Sequence, residues 1–259
     1  MKRSYGWRPD KPDFRDKKYG AIRPLALADF LPSKVSLRDK MPPIVDQGDI
    51  GSCTGHAIST TLMYNRMFTK EKPEVRPSRL FIYYNERMYE KSINEDAGAE
   101  IRTGSKTINK EGFCDEKYWP YIESKFKKKP TQKAYSNAKK YRAIEYYRLD
   151  NSNINELKTC LASGFPFVFG FSVFLSMDEA ESNNGIIPMP RTNDKMDGGH
   201  AVVCSGYNDE TKLFEIHNSW GTECGDKGYY YLPYDYMTTT ELSDDFWTIR
   251  KIDERDGIN

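Results

Sequence analysis

The sequence predicts an α+β fold of two lobes, and three observations carry that expectation. Apolar residues recur at helical spacing through the first half of the chain. Short apolar runs and alternating segments, the mark of strands, fill the second half. A chain of 259 residues is also long enough to bury one large core or two lobes that share a cleft. Residues 1–31 read as an extended arm, and residues 32–259 as the folded body. That body is helical mainly over 50–140 and β-rich, barrel-like, mainly over 141–252.

The arm holds Pro9, Pro12 and Pro24, with Pro32 just beyond it, and no apolar residues at helical spacing. It is expected to lie extended along the protein surface, anchored by Tyr5, Trp7 and Phe14, with no need for removal before activity. The first strong helix starts at Ser52, a good N-cap, and runs to about Thr69 with Ala57, Ile58, Leu62 and Met63 as its buried stripe. A second follows Ser78 with Leu80, Phe81, Tyr84 and Met88 on one face. A third spans roughly Glu100 to Glu111 and stops at Gly112, which suits the position just past a helix end. A helical segment around 134–140 and a short helix with Ile154, Leu157 and Leu161, ending at Gly164, complete the helices. Phe165 to Val173 reads as a buried strand and 176–199 as a long loop. Strands follow at about 200–207, 212–218, 228–232 and 246–252, the first pair joined at Asn208-Asp209.

Composition excludes several classes. The net charge is +1, so there is no electrostatic footprint for nucleic acid or an anionic membrane surface. The longest apolar stretch, Phe165 to Leu175, is interrupted by Pro166, Gly170 and Ser172 and is too short to span a bilayer. No apolar segment follows the basic N-terminus, which argues against a secretory leader. Five cysteines without dense spacing make no disulfide framework, and a reducing, intracellular setting is expected. No cysteine pair has the spacing of a structural zinc site, so neither a metal nor another cofactor is expected.

The chemistry concentrates in three short segments. In Gln47-Gly48-Asp49-Ile50-Gly51-Ser52-Cys53 a thiol opens a helix, where unpaired N–H groups and the positive end of the dipole favour thiolate. On this local pattern alone Cys53 still competes with a buried structural cysteine, a common core residue. Gln47 lies where a folded-back loop can set its carboxamide beside the sulfur as an oxyanion donor. Three histidines compete for the role of base. His56 shares the helix of Cys53 and is expected to pack or cap. His217 precedes Asn218 on a strand, so the two side chains point to opposite faces. His200 follows Gly198-Gly199 and opens an apolar strand, which suits an imidazole at a cleft edge. Asn218, in Asn218-Ser219-Trp220-Gly221, can accept the ring N–H of His200, and Trp220 can shield that bond from water.

Together these signatures resemble those of the papain-like cysteine peptidases, over roughly residues 31–251. The resemblance implies a two-lobed fold with a cleft between a helical and a β-rich lobe. It implies Cys53 as nucleophile, His200 as base, Asn218 as orienting residue, Gln47 in the oxyanion hole and Trp220 as the shield. The substrate would be a protein or peptide, with Gly98, Ala99, Gly199 and Ala201 lining the cleft. The chain departs from the family at Ile50, where a bridging cysteine is usual, at Thr54, where an aromatic is usual, and at Cys224, where a second tryptophan is common. These departures resemble the disulfide-poor bacterial or viral members. The rival readings are a catalytically silent peptide-binding homologue, a specialised isopeptidase, and a transglutaminase-like acyl transferase, against which Asn218 speaks.

Overall fold

The computed structural model describes residues 3–22, 31–69 and 75–254, so part of the arm (residues 1–2 and 23–30) lies outside the described residues. Six α-helices occur among them: α1 (Cys53–Thr69), α2 (Arg79–Tyr89), α3 (Ile101–Lys110), α4 (Gln132–Ala138), α5 (Ile154–Ala162) and α6 (Tyr234–Thr238). Seven strands, β1 (Lys34–Ser36), β2 (Tyr141–Arg148), β3 (Phe167–Phe174), β4 (Met196–Asn208), β5 (Leu213–His217), β6 (Tyr229–Pro233) and β7 (Ser243–Glu254), form one antiparallel sheet in the order β2-β7-β3-β4-β5-β6. The short β1 pairs with β4 off that path.

The sheet and the helices meet along α1. Every residue of that helix from Cys53 to Arg66 is buried, so it is enclosed all round rather than along a single stripe. It packs on α2 and α3 on one side and on β4 and β7 on the other. The main core runs continuously from α1 through the inward faces of β3, β4, β5 and β7. A smaller cluster of Ile50, Leu80, Phe81, Tyr83, Ala99, Cys114, Trp119, Ala134 and Ala138 sits beneath α2 and α4. Ser78 caps α2 by accepting from the N–H of Phe81 at 3.1 Å. Gly112 and Gly164 adopt φ of +80° and +83° just past α3 and α5, a conformation glycine reaches without steric cost.

Two segments differ from the sequence expectation. The stretch 176–199 is not a loop throughout: Leu175–Ser182 forms a 3₁₀ helix and β4 begins at Met196. The arm also departs from its expected course. Residues 3–10 do not run along the outer surface but enter the groove between α1 and the sheet, as detailed below. Of the three expected anchors Trp7 is buried and Tyr5 half-buried, but Phe14 is 97% exposed and holds nothing. Tyr19, unremarked in the sequence, is a buried aromatic among the described residues of the arm's second half.

Candidate active site

The loop 47–52 turns tightly into α1 and brings Cys53 to the helix start, facing β4. The Gly51 N–H donates to Asp96 Oδ2 at 2.9 Å and the Asp49 N–H to Glu123 Oε2 at 2.8 Å, so side chains from two other segments pin the loop. Across the cleft, the backbone N–H of Ala201 on β4 points at Cys53 Sγ at 3.4 Å. His200, the preceding residue, is fully buried and its Nε2 lies 2.7 Å from Asn218 Oδ1. That bond leaves Nδ1 as the ring nitrogen without a partner. Trp220 stacks on the imidazole with ring centroids 4.4 Å apart and an interplanar angle of 20°.

Gln47 is completely buried. Its Oε1 accepts the Ser219 hydroxyl at 2.8 Å, which fixes the amide so that Nε2 faces the cleft. Nε2 donates to the Ser4 carbonyl at 3.0 Å and to the Ile50 carbonyl at 3.2 Å. That side chain is therefore already holding a carbonyl oxygen from the protein's own arm.

The arm fills the cleft. The N–H groups of Gly6 and Trp7 donate to Gly199 O at 3.1 and 2.9 Å, Arg8 N–H donates to Ala99 O at 3.1 Å, and Ala99 N–H donates to Gly6 O at 2.7 Å. The Trp7–Ala99 bridge is parallel. Gly6 abuts the Gly51 carbonyl so closely that a Cβ would collide with it, so only glycine crosses at that point. Tyr5 meets His200 and Trp220 edge-on at 6.2 and 6.1 Å, and the Arg3 guanidinium lies 4.7 Å over the Trp220 ring while pairing with Asp178 and Glu181. Trp7 is buried against Gly170 and Gly199 and donates its indole N–H to Asp245 Oδ2 at 3.0 Å. Beyond it, Asp10 accepts the Trp247 indole at 3.1 Å, and Arg102 pairs with Asp16 at 2.7 Å.

Enclosure sets the electrostatics. Burial pushes the Cys53 thiol up to about 12, against the pull of nearby backbone N–H groups. Burial lowers His200 to about 4, opposed by its bond to Asn218 and reinforced by the Arg3 charge. With the arm in place both shifts favour the neutral thiol and the neutral imidazole over an ion pair.

Comparison with known proteins places this geometry. The profile of the papain family cysteine proteases matches residues 31–246. The chain belongs to that family. It is 40% identical to an uncharacterized peptidase C1-like protein of Acanthamoeba polyphaga mimivirus, over 97% of this chain and 88% of that one. The crystal structure of xylellain, a cysteine protease from Xylella fastidiosa, superposes with a TM-score of 0.89 at 43% identity, covering 97% of this chain and 98% of that one. Procathepsin B S9 from Trypanosoma congolense shares the fold at a TM-score of 0.70 and 15% identity, over 94% and 84% of the two chains.

In this papain-family cleft the structure brings Gln47, Cys53, His200, Asn218 and Trp220 together, and Gly98, Ala99, Gly199 and Ala201 around them. Gly98 takes φ of +67° where it abuts Gly6. The other two histidines are held elsewhere. His56 Nδ1 lies 3.0 Å from the Ser52 carbonyl and its Nε2 lies 3.2 Å from the Arg79 guanidinium. His217 Nε2 lies 2.9 Å from the Pro42 carbonyl, on the opposite side of its strand from Asn218. All five cysteines are free. Among the described residues no cluster of His, Cys, Asp or Glu is arranged to hold a metal ion, and no helix is long and apolar enough to cross a membrane. Sequence reasoning missed Ser219 and Asp245. Ser219 was within reach, since it sits between two residues already singled out, whereas nothing local marked Asp245.

Proposed function

We propose that this chain is a cysteine endopeptidase whose thiol attacks peptide carbonyls and whose own arm holds it latent. The observation that carries the reading is the division of His200. Asn218 takes Nε2 at 2.7 Å, so the remaining nitrogen, Nδ1, is the one available to a thiol at the start of α1. Once the arm withdraws, water and substrate enter, the desolvation that disfavours charge on both groups falls away, and His200 takes the proton from Cys53. The thiolate adds to the scissile carbonyl. The backbone N–H of Cys53 and the Nε2 of Gln47, released by Ser4, receive the oxyanion. His200 then protonates the leaving amine, a thioester remains on Cys53, and water, deprotonated by His200, hydrolyses it.

A filled cleft also favours a second reading, a silent homologue that only binds peptide segments. One experiment separates the two. The full chain is incubated with an epoxide that alkylates activated papain-family thiols, with and without a peptide substrate, and the product is mapped by mass spectrometry. Stoichiometric labelling at Cys53 that abolishes hydrolysis supports the peptidase. A chain that neither labels nor hydrolyses under any condition that frees the arm is the silent homologue.

A further inference from the structure

We propose that Tyr121 is a positioning residue for the oxyanion hole, its one hydroxyl tying together the two ends of the loop 47–52 so that Gln47 Nε2 and the Cys53 N–H keep a fixed separation. The proposal rests on the peptidase reading, since it concerns how that reading's two oxyanion donors are held.

Gln47 opens the loop and Ser52 closes it, so the two donors sit at its opposite ends. From the sheet, Gln47 is held by Ser219, whose carbonyl accepts the Gln47 N–H at 2.9 Å and whose hydroxyl donates to Oε1 at 2.8 Å. Neither bond relates Gln47 to α1. The Tyr121 hydroxyl does, lying 2.7 Å from the Gln47 carbonyl and 2.7 Å from Ser52 Oγ. Gln47 and Ser52 are both completely buried, so bulk water does not replace either bond.

The direction of each bond follows from what each group can do. Glu116 grips the Arg79 guanidinium through Nε at 2.9 Å and Nη2 at 2.6 Å. Arg79 can only donate, so His56 Nε2, 3.2 Å from Nη1, accepts. Burial, reinforced by the Arg79 charge, lowers His56 to about 3, so the ring is neutral and carries its proton on Nδ1. That N–H points at the Ser52 carbonyl at 3.0 Å and at Ser52 Oγ at 3.2 Å. The Gln47 carbonyl can only accept, so the Tyr121 O–H donates to it and the Ser52 O–H donates to Tyr121. The chain Glu116–Arg79–His56–Ser52–Tyr121–Gln47 therefore runs one way and ends on an oxyanion residue. The Tyr121 ring is fixed as well, meeting His56 edge-on at 4.8 Å with the Arg79 guanidinium 4.4 Å over its face. His56 stands further back in this chain, and its removal leaves the Tyr121–Gln47 bond in place.

The test uses the full chain carrying Trp7→Ala, which loosens the arm, with and without Tyr121→Phe. Phenylalanine keeps the ring and loses only the hydroxyl, so Tm should move by no more than about 4 °C. With the donors free to drift, kcat should fall by about tenfold or more, while KM changes by less than about twofold. A tyrosine with a structural role alone would not separate the two constants. In the Gln47→Ala chain the same substitution should lower kcat by no more than about threefold, because little is left to position. An unchanged kcat in folded Tyr121→Phe, or an equal fall with and without Gln47, overturns the proposal. A peptide aldehyde and the matching alcohol are also titrated onto these chains. The thiol adds across the aldehyde C=O, its proton passing to the oxygen that enters the hole, and the alcohol cannot react. The open fraction cancels in their affinity ratio, which Tyr121→Phe should cut by about tenfold. If Tyr121→Phe does not fold, Ser52→Ala, which severs the hydroxyl's other bond, is judged by the same criteria. An aldehyde preference that depends on Tyr121 in a chain that hydrolyses nothing counts against the peptidase reading alone. Hydrolysis indifferent to Tyr121 counts against the tether alone, and a chain with neither hydrolysis nor aldehyde preference overturns both.

Discussion

Replacing Trp7 by alanine should turn a latent enzyme into an active one. Trp7 is 6% exposed, and its indole makes a hydrogen bond to a buried carboxylate. A buried tryptophan covers about 150–250 Å². At roughly 25 cal/mol per Å² that is worth about 4–6 kcal/mol if none of it is recovered. Alanine keeps part of the contact, and water that enters the vacated pocket can satisfy Asp245, so about 3 kcal/mol is a reasonable loss for the docked state, within the range of buried tryptophan truncations at interfaces. The four backbone hydrogen bonds of the arm to Gly199 and Ala99 remain. A change of that size moves the open–closed equilibrium by about two powers of ten. The assay is the initial rate on a fluorogenic peptide with the full chain, wild type and Trp7→Ala, at matched Tm and far-ultraviolet spectrum. The rate should rise by about a hundredfold, or to a plateau at which the arm is open most of the time. An equal or lower rate from a folded variant would refute the reasoning, because it would mean that the docked arm does not limit activity in solution.

Other outcomes follow from the same geometry. Cys53→Ala should abolish hydrolysis and His200→Ala should be nearly as damaging, whereas His56→Ala, with its ring held by Ser52 and Arg79, should keep substantial activity; kcat/KM for the three variants checks this. Gln47→Ala should lower kcat by about 10²-fold with little change in KM, and Ser219→Ala, which frees the amide to rotate, should lower kcat by less. Burial and the Asp245 charge push the Asp10 carboxyl up, with Arg102 and Arg148 opposing and Asp16 and Asp244 close by. A carboxyl whose value is raised by docking keeps its proton when docked, so closure is strongest below the ordinary carboxylate range and is lost as pH rises through the raised value. The latent fraction should therefore fall between about pH 5 and about pH 8, and Asp10→Asn should flatten that profile; closure that tightens with rising pH would contradict it.

What could be read from the sequence depended on how local each signal was. The helices at Cys53, Arg79, Ile101 and Ile154 carried helical spacing, and each also had a capping residue before it or a terminal glycine after it, so their positions agree to within a residue or two. Strand β2 escaped because only Ala143 of its eight residues is fully buried, so no period-two pattern exists to find. Strand β1 has three residues and α6 five, too few for any period. The arm was misjudged for a related reason. Its lack of helical pattern was read correctly, but a segment can occupy a cleft as an extended strand through backbone bonds, and those have no sequence signature. Asp245 was illegible because its role arises only where a register slip in β7 meets a residue far away in the arm.

On the reading proposed above, a segment laid across Cys53 is itself a potential substrate, and the docked geometry argues against its being cut. Cleavage requires a single carbonyl to do two things at once: its carbon must meet Cys53 Sγ and its oxygen must enter the oxyanion hole. In the docked arm these duties fall on different residues. Gln47 Nε2 holds the carbonyl of Ser4, while the residue crossing beside the sulfur is Gly6, two positions further along. Gly6 presents its N–H to the cleft, donating to Gly199 O, and turns its carbonyl away to Ala99 N–H at 2.7 Å. The thiol therefore faces an amide hydrogen and not a carbonyl carbon, beside a neutral imidazole that would gain little by taking its proton. Shifting the register by two residues to bring Ser4 over the sulfur would pull Trp7 out of its pocket and set Ser4, which carries a Cβ, in the place beside the Gly51 carbonyl that admits only glycine. The glycine that lets the arm pass is thus also what fixes it in the uncleavable register, and Gly6→Ala should expel the arm rather than expose it to cleavage.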